Sequence, residues 1–492
     1  MGSIDVRVRT RAILPEYHRV EDREEASVTA AIRVHMMTRS TIPRKWALQR
    51  IGAVFRIVLV CGLAAAMTSC HRPPGETSSP DSEPAPLVIA GIPTDEFPAG
   101  SRLSTEFTER TGIPVRLIPS AEFPAERFAQ YRKLLQRKSR VPDVYALDVT
   151  WPAALASGLA DLRPVFGSDL SPFLPRFVEN NVVDHRLVAI PLIADVGLLY
   201  YRTDLLRKYG YHHPPRTWKE LESMARVIQT GERRTGRTNF WGYIWQGAAD
   251  ESLTCNALEW QAAFGGGNIL EANHTVSVNN PHTVEALRMA KQWIGSISPP
   301  SVTAYEEDDA RNLWEAGDAA FMRNWPYAYV MSEAADSAVR GRFDVTMLPA
   351  GNVRRAAVLG GWSLAISKYS AHPAEAARFI RFVTSTRVEV ERADIATQLP
   401  TRASIYHDPA VLQKIPVLAR ARQALLSTAI ARPSVAAAGH YEQVSAAYFT
   451  AVHSVLSGDV DASTAMARLQ KQLMQITGYP AGPPLPEPDF SP

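Results

Sequence analysis

The chain has few cysteines, and its early apolar run is short. Of its 492 residues only three are cysteines, and two of these, Cys61 and Cys70, lie in the first seventy residues. Cys255 is the one thiol of the remaining chain, so an internal disulfide there is excluded. The apolar stretch at residues 57–67 is eleven residues long, well short of the ~20 that span a hydrocarbon core. A permanent membrane span is therefore not the preferred interpretation.

An excess of basic charge is also missing from most of the chain. The formal net charge is +3, but residues 1–70 hold 11 Lys or Arg against 6 Asp or Glu, which leaves 42 against 44 in residues 71–492. Proteins that bind nucleic acid by neutralising phosphates need a cationic surface. The charge balance therefore excludes that class, and we expect no nucleic-acid partner.

The common nucleotide-binding, metalloprotease and hydrolase motifs are absent from the sequence. There is no G-x-x-x-x-G-K-[ST], no G-x-G-x-x-G, no H-E-x-x-H and no G-x-S-x-G. The adjacent His212 and His213 have no partner at metal-ligand spacing, and we interpret them as part of a solvated loop. The sequence therefore predicts no cofactor, no metal and no enzyme.

The first seventy residues have the pattern of an export signal. Basic residues precede the apolar run, which ends in AMTSC at residues 66–70. This ending resembles a bacterial lipobox, whose cysteine receives the lipid, so Cys70 is the predicted lipidation site. We interpret residues 36–69 as the signal peptide. Residues 1–35 are interpreted as an extension that results from a translation start placed too early. The alternatives are an ordinary signal peptide or an unprocessed anchor.

A tether is predicted between this cysteine and the folded body. Residues 71–86 are rich in Pro and Ser and carry no large apolar groups. In a polyproline-like chain of ~3.1 Å per residue they reach about 50 Å. Together with Cys70 they form the predicted lipid anchor, residues 70–86, which would hold the body outside the cytoplasm on a bacterial membrane.

From residue 87 onward, short apolar runs alternate with helical stripes, a pattern typical of α/β folding. The chain is too long for one core, since single cores stop growing near ~250–300 residues.

A capping box at Thr217 predicts a helix start, and residues 410–476 are helical in pattern. The tail, residues 477–492, is predicted to be disordered. Mainly parallel strands are predicted at 87–90, 115–118, 144–147, 187–192, 319–322, 345–348 and 363–366.

Two tryptophans and two aspartates are candidate binding residues. Trp325 lies on a turn before Pro326, and Trp362 follows two glycines, so both rings are expected to be displayed. Displayed rings suit stacking against the apolar face of a sugar. Asp148 and Asp195 follow predicted strands, where α/β sheets gather ligands, although both could be simple turn or cap residues. Packing residues are expected at Trp218, Trp260, Trp293 and Trp314.

Several segments resemble the family 1 extracellular solute-binding proteins of ABC sugar importers, and within them the trehalose/maltose-binding branch. The resemblance implies an α/β fold of two lobes, of the type II, maltose-binding-protein-like kind, joined by a hinge. Both lobes are discontinuous: lobe one is expected at 87–194 plus 356–390, and lobe two at 195–355 plus 391–476. The segments that carry the resemblance are 144–152 (VYALDVTWP), 192–206 (LIADVGLLYYRTDLL), 242–256 (GYIWQGAADESLTCN), 320–327 (AFMRNWPY), 360–369 (GGWSLAISKY) and 399–406 (LPTRASIY).

The same resemblance implies a function and a set of site residues. The chain would bind an α-linked disaccharide between its lobes and deliver it, as a monomer, to a membrane permease. Hinge closure would bury the sugar. The implied sugar-binding residues are Glu96, Asp148, Trp151, Asp195, Trp245, Trp325, Tyr327, Gly361, Trp362 and Arg402.

Two other functions stay open at this point. A surface glycosidase could use Asp148 and Asp195, or Glu96, as its acid and nucleophile. An importer component could instead take another solute, such as a polyol, an oligosaccharide or a glycerophosphodiester. A phosphate-bearing ligand would demand a basic pocket, which makes the surroundings of Arg402 informative.

Overall fold

The strands form two mixed sheets. The computed structural model describes residues 85–91, 100–121 and 124–485. Glu96, Cys70, the predicted extension and signal, and most of the predicted tether lie outside the described residues. The strands are β1 Leu87–Ala90, β2 Val115–Ile118, β3 Val144–Asp148, β4 Val182–Val183, β5 Arg186–Leu187, β6 Ile190–Val196, β7 Leu198–Arg202, β8 Trp241–Ile244, β9 Ala319–Asn324, β10 Phe343–Met347, β11 Ala357–Ile366 and β12 Ala429–Ile430.

The helices cover these sheets and make up most of the C-terminal part of the chain. Within the described ranges, no helix is both long enough and apolar enough to cross a membrane. The helices are α1 Gly100–Thr111, α2 Pro124–Gln136, α3 Pro152–Leu155, α4 Arg163–Phe166, α5 Pro175–Glu179, α6 Thr203–Lys208, α7 Trp218–Arg234, α8 Glu251–Ala263, α9 Pro281–Trp293, α10 Glu307–Glu315, α11 Ala328–Ser332, α12 Pro373–Val383, α13 Thr386–Ala396, α14 Pro409–Lys414, α15 Pro416–Ser427, α16 Tyr441–Ser457 and α17 Ala462–Thr477.

The first sheet is organised around β11. This sheet and the helices that pack on it are called lobe one. β11 pairs antiparallel with β3 and with β6, and parallel with β12. Beyond β3, the strands β1 and β2 continue the sheet in parallel. All four residues of β1 are buried, as expected for an inner strand that is covered on both faces.

The second sheet has the order β10-β7-β9-β8, and we call it with its helices lobe two. β7 runs antiparallel to both β10 and β9, whereas β8 is parallel to β9. All residues of β9 are buried. The four tryptophans that the sequence assigns to packing, Trp218, Trp260, Trp293 and Trp314, are at most 1% exposed, so that prediction is confirmed.

Local sequence explains where the helices of lobe two begin. The hydroxyl of Thr217 accepts a hydrogen bond from the backbone N–H of Glu220 at 3.1 Å, which confirms the predicted cap of α7. Asn280 caps α9 by accepting from two N–H groups of its first turn, and Pro281 occupies its first position. Polar caps and proline thus fix the helix starts that the apolar stripes only approximate.

Three structural expectations need correction. The strands are not mainly parallel, because β11 enters lobe one between β3 and β6 and runs opposite to both. α8 was not predicted, since nearly all its residues are buried and it therefore has no polar face to create a 3.6-residue stripe. The tail is ordered as far as it is described: Val276 N–H donates to the Pro480 carbonyl at 2.9 Å, and Gly482 N–H donates to the Val276 carbonyl at 3.1 Å. Residues 486–492 lie outside the described part.

The chain crosses between the two sheets at two neighbouring places. Gly197 is the single residue between β6 in lobe one and β7 in lobe two, and the chain returns before β11. The two crossings lie next to each other, because Gly197 N–H donates at 3.4 Å to the carbonyl of Val358, the second residue of β11. The predicted lobe limit at residue 194 lies three residues before Gly197, whereas the limit at residue 390 falls inside α13. The lobe limits stay a prediction.

The backbone of Gly361 gives a test of the β6–β11 packing. Gly361 has a φ of +110°, and a Cβ there would lie 2.1 Å from the carbonyl oxygen of Ile193. We expect G361A to lower the free energy of unfolding by at least about 2 kcal/mol, because the oxygen cannot move without disturbing the strand pairing. Chemical denaturation measures the change.

The matched control is G341A. Gly341 has a φ of +65°, but an added Cβ would meet no atom within 4 Å. We expect a loss of about 1 kcal/mol, since only the left-handed backbone is strained. Equal losses in the two variants would contradict the argument from close packing.

Candidate functional site

The predicted site residues meet at the middle of β11. Trp362 is paired with Asp148 at the end of β3, and Gly360 is paired with Asp195 on β6. Directly opposite residues of an antiparallel pair lie about 5 Å apart. The two acids therefore stand on either side of β11, within two residues of each other along that strand.

The missing side chain of Gly360 makes room for Trp325, which comes from lobe two. A Cβ on Gly360 would lie 2.9 Å from Cζ3 of Trp325 and 3.3 Å from Cβ of Asp195. The ring thus rests on the central strand of lobe one, beside an acid. Trp325, Asp195, Asp148 and Trp362 are consequently brought together in one place by three consecutive residues of β11.

Trp325 is held by contacts on several sides. The Arg323 guanidinium carbon lies 4.1 Å from the centroid of the ring. The indole N–H donates to Glu307 Oε1 at 3.2 Å, and the Trp325 carbonyl accepts from the Tyr200 hydroxyl at 2.7 Å. Burial raises the pKa of the Glu307 carboxyl. The ring is therefore fixed in orientation while part of it stays exposed.

Trp362 is supported by an aromatic cluster of lobe one. Its ring meets the Trp151 ring edge-on at 6.0 Å, and the Arg127 guanidinium carbon lies 5.2 Å from its centroid. Trp151 in turn packs against Phe128 and Tyr131. Since Trp151 is only 7% exposed and Trp362 is partly exposed, Trp362 offers the accessible ring and Trp151 mainly backs it.

Asp148 is contacted by a cation that the sequence analysis missed. Its Oδ1 accepts hydrogen bonds from the backbone N–H and the hydroxyl of Thr150, at 2.8 and 2.6 Å. The same oxygen lies 3.8 Å from Nη2 of Arg432, whose side chain is 5% exposed. Arg432 follows the two-residue strand β12. A strand that short leaves no periodic signal, so only the fold reveals this neighbour.

Arg432 also connects Asp148 to the start of α8. Its Nη1 donates to Glu251 Oε1 at 2.6 Å. Glu251 further accepts hydrogen bonds from the hydroxyls of Tyr441 and Ser445 on α16. A guanidinium between two carboxylates is largely neutralised, so it can donate to a neutral ligand without creating a net positive pocket.

Tyr327 lies close to the Trp325 turn, directly before α11. Its hydroxyl is 3.5 Å from Asp308 Oδ1, and Asp308 follows the Glu307 that accepts from the Trp325 indole. Burial raises the pKa of Tyr327 well above its ordinary value, and the neighbouring acids add to the shift. The phenol therefore stays protonated and can donate a hydrogen bond.

Two of the predicted residues are not part of this group. Trp245 is 0% exposed, and its ring packs edge-on against Trp260 at 4.9 Å in the core of lobe two. Arg402 donates from Nε to the Thr384 carbonyl at 2.5 Å, and its guanidinium covers the ring of Phe173 at 4.7 Å. Neither residue is among those that strand pairing brings together at β11.

The chemistry of the group is that of recognition by stacking and hydrogen bonding. It offers two partly exposed rings, two carboxylates, a phenol and a neutralised guanidinium. Among the described residues, no cluster of three or more His, Cys, Asp or Glu is arranged to hold a metal ion. Such a surface fits a ligand with apolar faces and hydroxyl edges.

Comparison with known proteins decides the family. The family model described as bacterial extracellular solute-binding protein matches residues 94–390, which is more than half of the chain. This chain belongs to the bacterial extracellular solute-binding proteins. The resemblance inferred from the sequence segments is thereby confirmed. The family implies a location outside the cytoplasm, and the members are binding components of transport rather than enzymes.

Relatives and solved structures agree with the fold of this solute-binding protein. A probable ABC transporter-binding protein of Deinococcus radiodurans is 42% identical over 374 residues, covering 76% of this chain and 89% of the relative. Maltose-bound MalE3 of T. maritima is 36% identical with a TM-score of 0.72, covering 79% of this chain and 99% of that one. A tagatose-bound solute-binding protein of Thermotoga lettingae is 23% identical with a TM-score of 0.69, covering 81% and 100%. The predicted two-lobed, type II, maltose-binding-protein-like α/β fold is confirmed.

Proposed function

We propose that this solute-binding protein is the substrate-binding lipoprotein of an ABC importer and takes an α-linked disaccharide of the trehalose or maltose type. The observation that carries the proposal is the meeting of Trp325, Trp362, Asp148 and Asp195 at β11. The maltose in the 36%-identical MalE3 structure supports a disaccharide ligand. The proposed sugar-binding residues are Asp148, Trp151, Asp195, Trp325, Tyr327, Gly361 and Trp362, with Arg432 added; Glu96 remains a sequence prediction.

Each lobe supplies part of the proposed site. Trp325 directly follows β9 of lobe two, whereas Asp148 and Trp362 come from the sheet of lobe one. A sugar that touches both lobes has more contacts when the lobes are closed, and this difference in affinity is what shifts the open–closed balance. The adjacent crossings at Gly197 and Val358 are the natural place for the hinge. The closed form would then be recognised by the permease.

The charges of the site favour a neutral ligand over a phosphate-bearing one. Arg402 donates to a backbone carbonyl and lies over Phe173, away from the group. Arg432 is the cation beside Asp148, and it is paired with Glu251 as well. An anionic ligand would have to approach the Asp148 and Glu251 carboxylates, with which Arg432 is already paired. A glycerophosphodiester is therefore the less favoured solute.

The enzyme alternative is not favoured by the surroundings of Asp148. A retaining or inverting glycosidase needs one carboxyl that keeps its proton and acts as an acid. Asp148 Oδ1 instead accepts two hydrogen bonds from Thr150 and lies 3.8 Å from Arg432 Nη2, so this oxygen already serves as a hydrogen-bond acceptor. Carboxylates of this kind bind hydroxyls, so we propose a transport role without catalysis.

The stacking role of the two rings can be tested by isothermal titration of the full chain with trehalose, maltose and sucrose. We expect a micromolar dissociation constant for at least one of them, which corresponds to a binding free energy of about −8 kcal/mol. W325A and W362A should each weaken that binding by about 30-fold or more, since removing a central aromatic contact costs about 2 kcal/mol.

W241A is the matched control. Trp241 lies on β8, beside the strand β9 that Trp325 follows, and it also carries an arginine, Arg233, over its ring at 4.3 Å. It stands at the start of β8, away from β11. We expect it to bind like the wild type. Binding of a polyol, an oligosaccharide or a glycerophosphodiester in place of every disaccharide would contradict the proposed ligand, as would release of monosaccharide by the wild type.

The proposed anchor has its own test. If Cys70 carries the lipid, residues 36–69 are removed and the mature chain begins at the modified cysteine. We expect the wild type to sediment with the membranes of a bacterial host and to begin at a Cys70 that carries the mass of the lipid, whereas C70A should keep residues 36–69 and lack that mass. Fractionation followed by N-terminal mass analysis measures both, and a processed wild-type chain with an unmodified N-terminus would contradict lipidation at this residue.

A further inference from the structure

A buried ion pair lies directly behind Trp325. Arg323 on β9 and Glu259 on α8 are both 0% exposed. Their contact is bidentate, with Nε–Oε2 at 3.0 Å and Nη2–Oε1 at 2.6 Å. The Glu259 carboxylate raises the pKa of Arg323 against the effect of burial. Buried ion pairs often contribute little net stability, because both charges lose their hydration. Stability alone is therefore a weak explanation for this pair.

The two members of the pair face opposite parts of the molecule. Toward the site, the Arg323 guanidinium lies 4.1 Å from the Trp325 ring centroid. Toward lobe one, Glu259 Oε1 accepts the backbone N–H of Val358 at 3.0 Å. A Cβ on Gly197 would lie 2.2 Å from Glu259 Oε1 and 2.9 Å from Arg323 Nη2. The pair thus touches both crossings between the sheets.

These contacts form one continuous path from ring to hinge. Each link is a direct contact: ring to guanidinium, guanidinium to carboxylate, and carboxylate to the backbone of a crossing strand. A planar guanidinium held by two hydrogen bonds cannot turn independently of its carboxylate. A change in the orientation of Trp325 must therefore change either the ion pair or the position of the crossing.

We propose that Arg323 and Glu259 are positioning residues that couple the Trp325 ring to the two strands joining the lobes. A Trp325 ring with a fixed orientation would stabilise the backbone conformation at Gly197 and Val358, and that backbone conformation would in turn stabilise the orientation of the ring. The consequence for sugar affinity rests on the proposed function, but the coupling itself does not and can be measured without ligand.

Amide hydrogen exchange in the ligand-free full chain tests the coupling. The reporter is the Gly197 N–H, which donates to the Val358 carbonyl and to neither member of the pair. We expect W325A to speed its exchange by about tenfold, within the usual range for coupled sites. In the R323M/E259M background, which replaces the pair with apolar side chains of similar length, the same W325A change should have an effect below about twofold.

W241A is again the matched control, because it removes a ring lying on an arginine in the same lobe without touching a crossing. It should leave Gly197 exchange unchanged in both backgrounds. An equal effect of W325A in both backgrounds would overturn the proposal. If R323M/E259M does not fold, R323K serves in its place, since it keeps the charge but lacks the planar face under Trp325; an unreduced W325A effect in R323K would equally overturn it.

Sugar titration separates coupling from simple structural support. Well-packed apolar replacement of a buried pair is often neutral for stability. In R323M/E259M the Val358 N–H loses its Glu259 acceptor, so we expect a melting temperature a few degrees below that of the wild type, and disaccharide binding about tenfold weaker at a temperature where the variant is folded. The control R202M/D204M removes a lobe-two ion pair remote from β11 and should bind normally. Wild-type affinity in R323M/E259M would overturn the coupling. Failure of the wild type to bind any sugar would overturn only the proposed function.

Discussion

The contact between the Trp325 ring and the bare backbone of Gly360 is the constraint on which the candidate site depends. It brings an aromatic ring of lobe two onto the central strand of lobe one, beside Asp195. Only a residue without a side chain permits an approach in which a Cβ would lie 2.9 Å from the ring. The register of β11 then adds Trp362 and Asp148. Ring faces and acid groups from two sheets thus come within reach of one ligand.

The same strand places the candidate site close to the proposed hinge. β11 carries the site at residues 360–362 and begins at the crossing, where Val358 donates to buried Glu259. Few residues therefore separate the proposed ligand-facing groups from the proposed hinge. The neutralised Arg432 adds a polar contact from the C-terminal segment, so five separate parts of the chain contribute to one surface: Asp148, Asp195, Trp325, residues 360–362 and Arg432.

The sequence predicted which residues meet at β11 better than the topology around them. Trp325, Trp362, Asp148 and Asp195 could be found because turns, glycines and strand ends leave local signals. Arg432 could not, since its place depends on the pairing of β12 with β11, far apart in sequence. Trp245 and Arg402 lie outside the group at β11, and a motif does not show which way such a side chain points. The antiparallel entry of β11 also needs the whole fold to be seen.

A crystal structure of the full chain with the disaccharide that binds most tightly tests the central claim most directly. The account predicts sugar density between the lobes, with ring faces against Trp325 and Trp362 and hydroxyls at about 2.6–3.2 Å from Asp148 and Asp195. Density at another surface, such as the open groove between α16 and α17 lined by Thr450 and Leu469, with those four residues free of ligand, would contradict it.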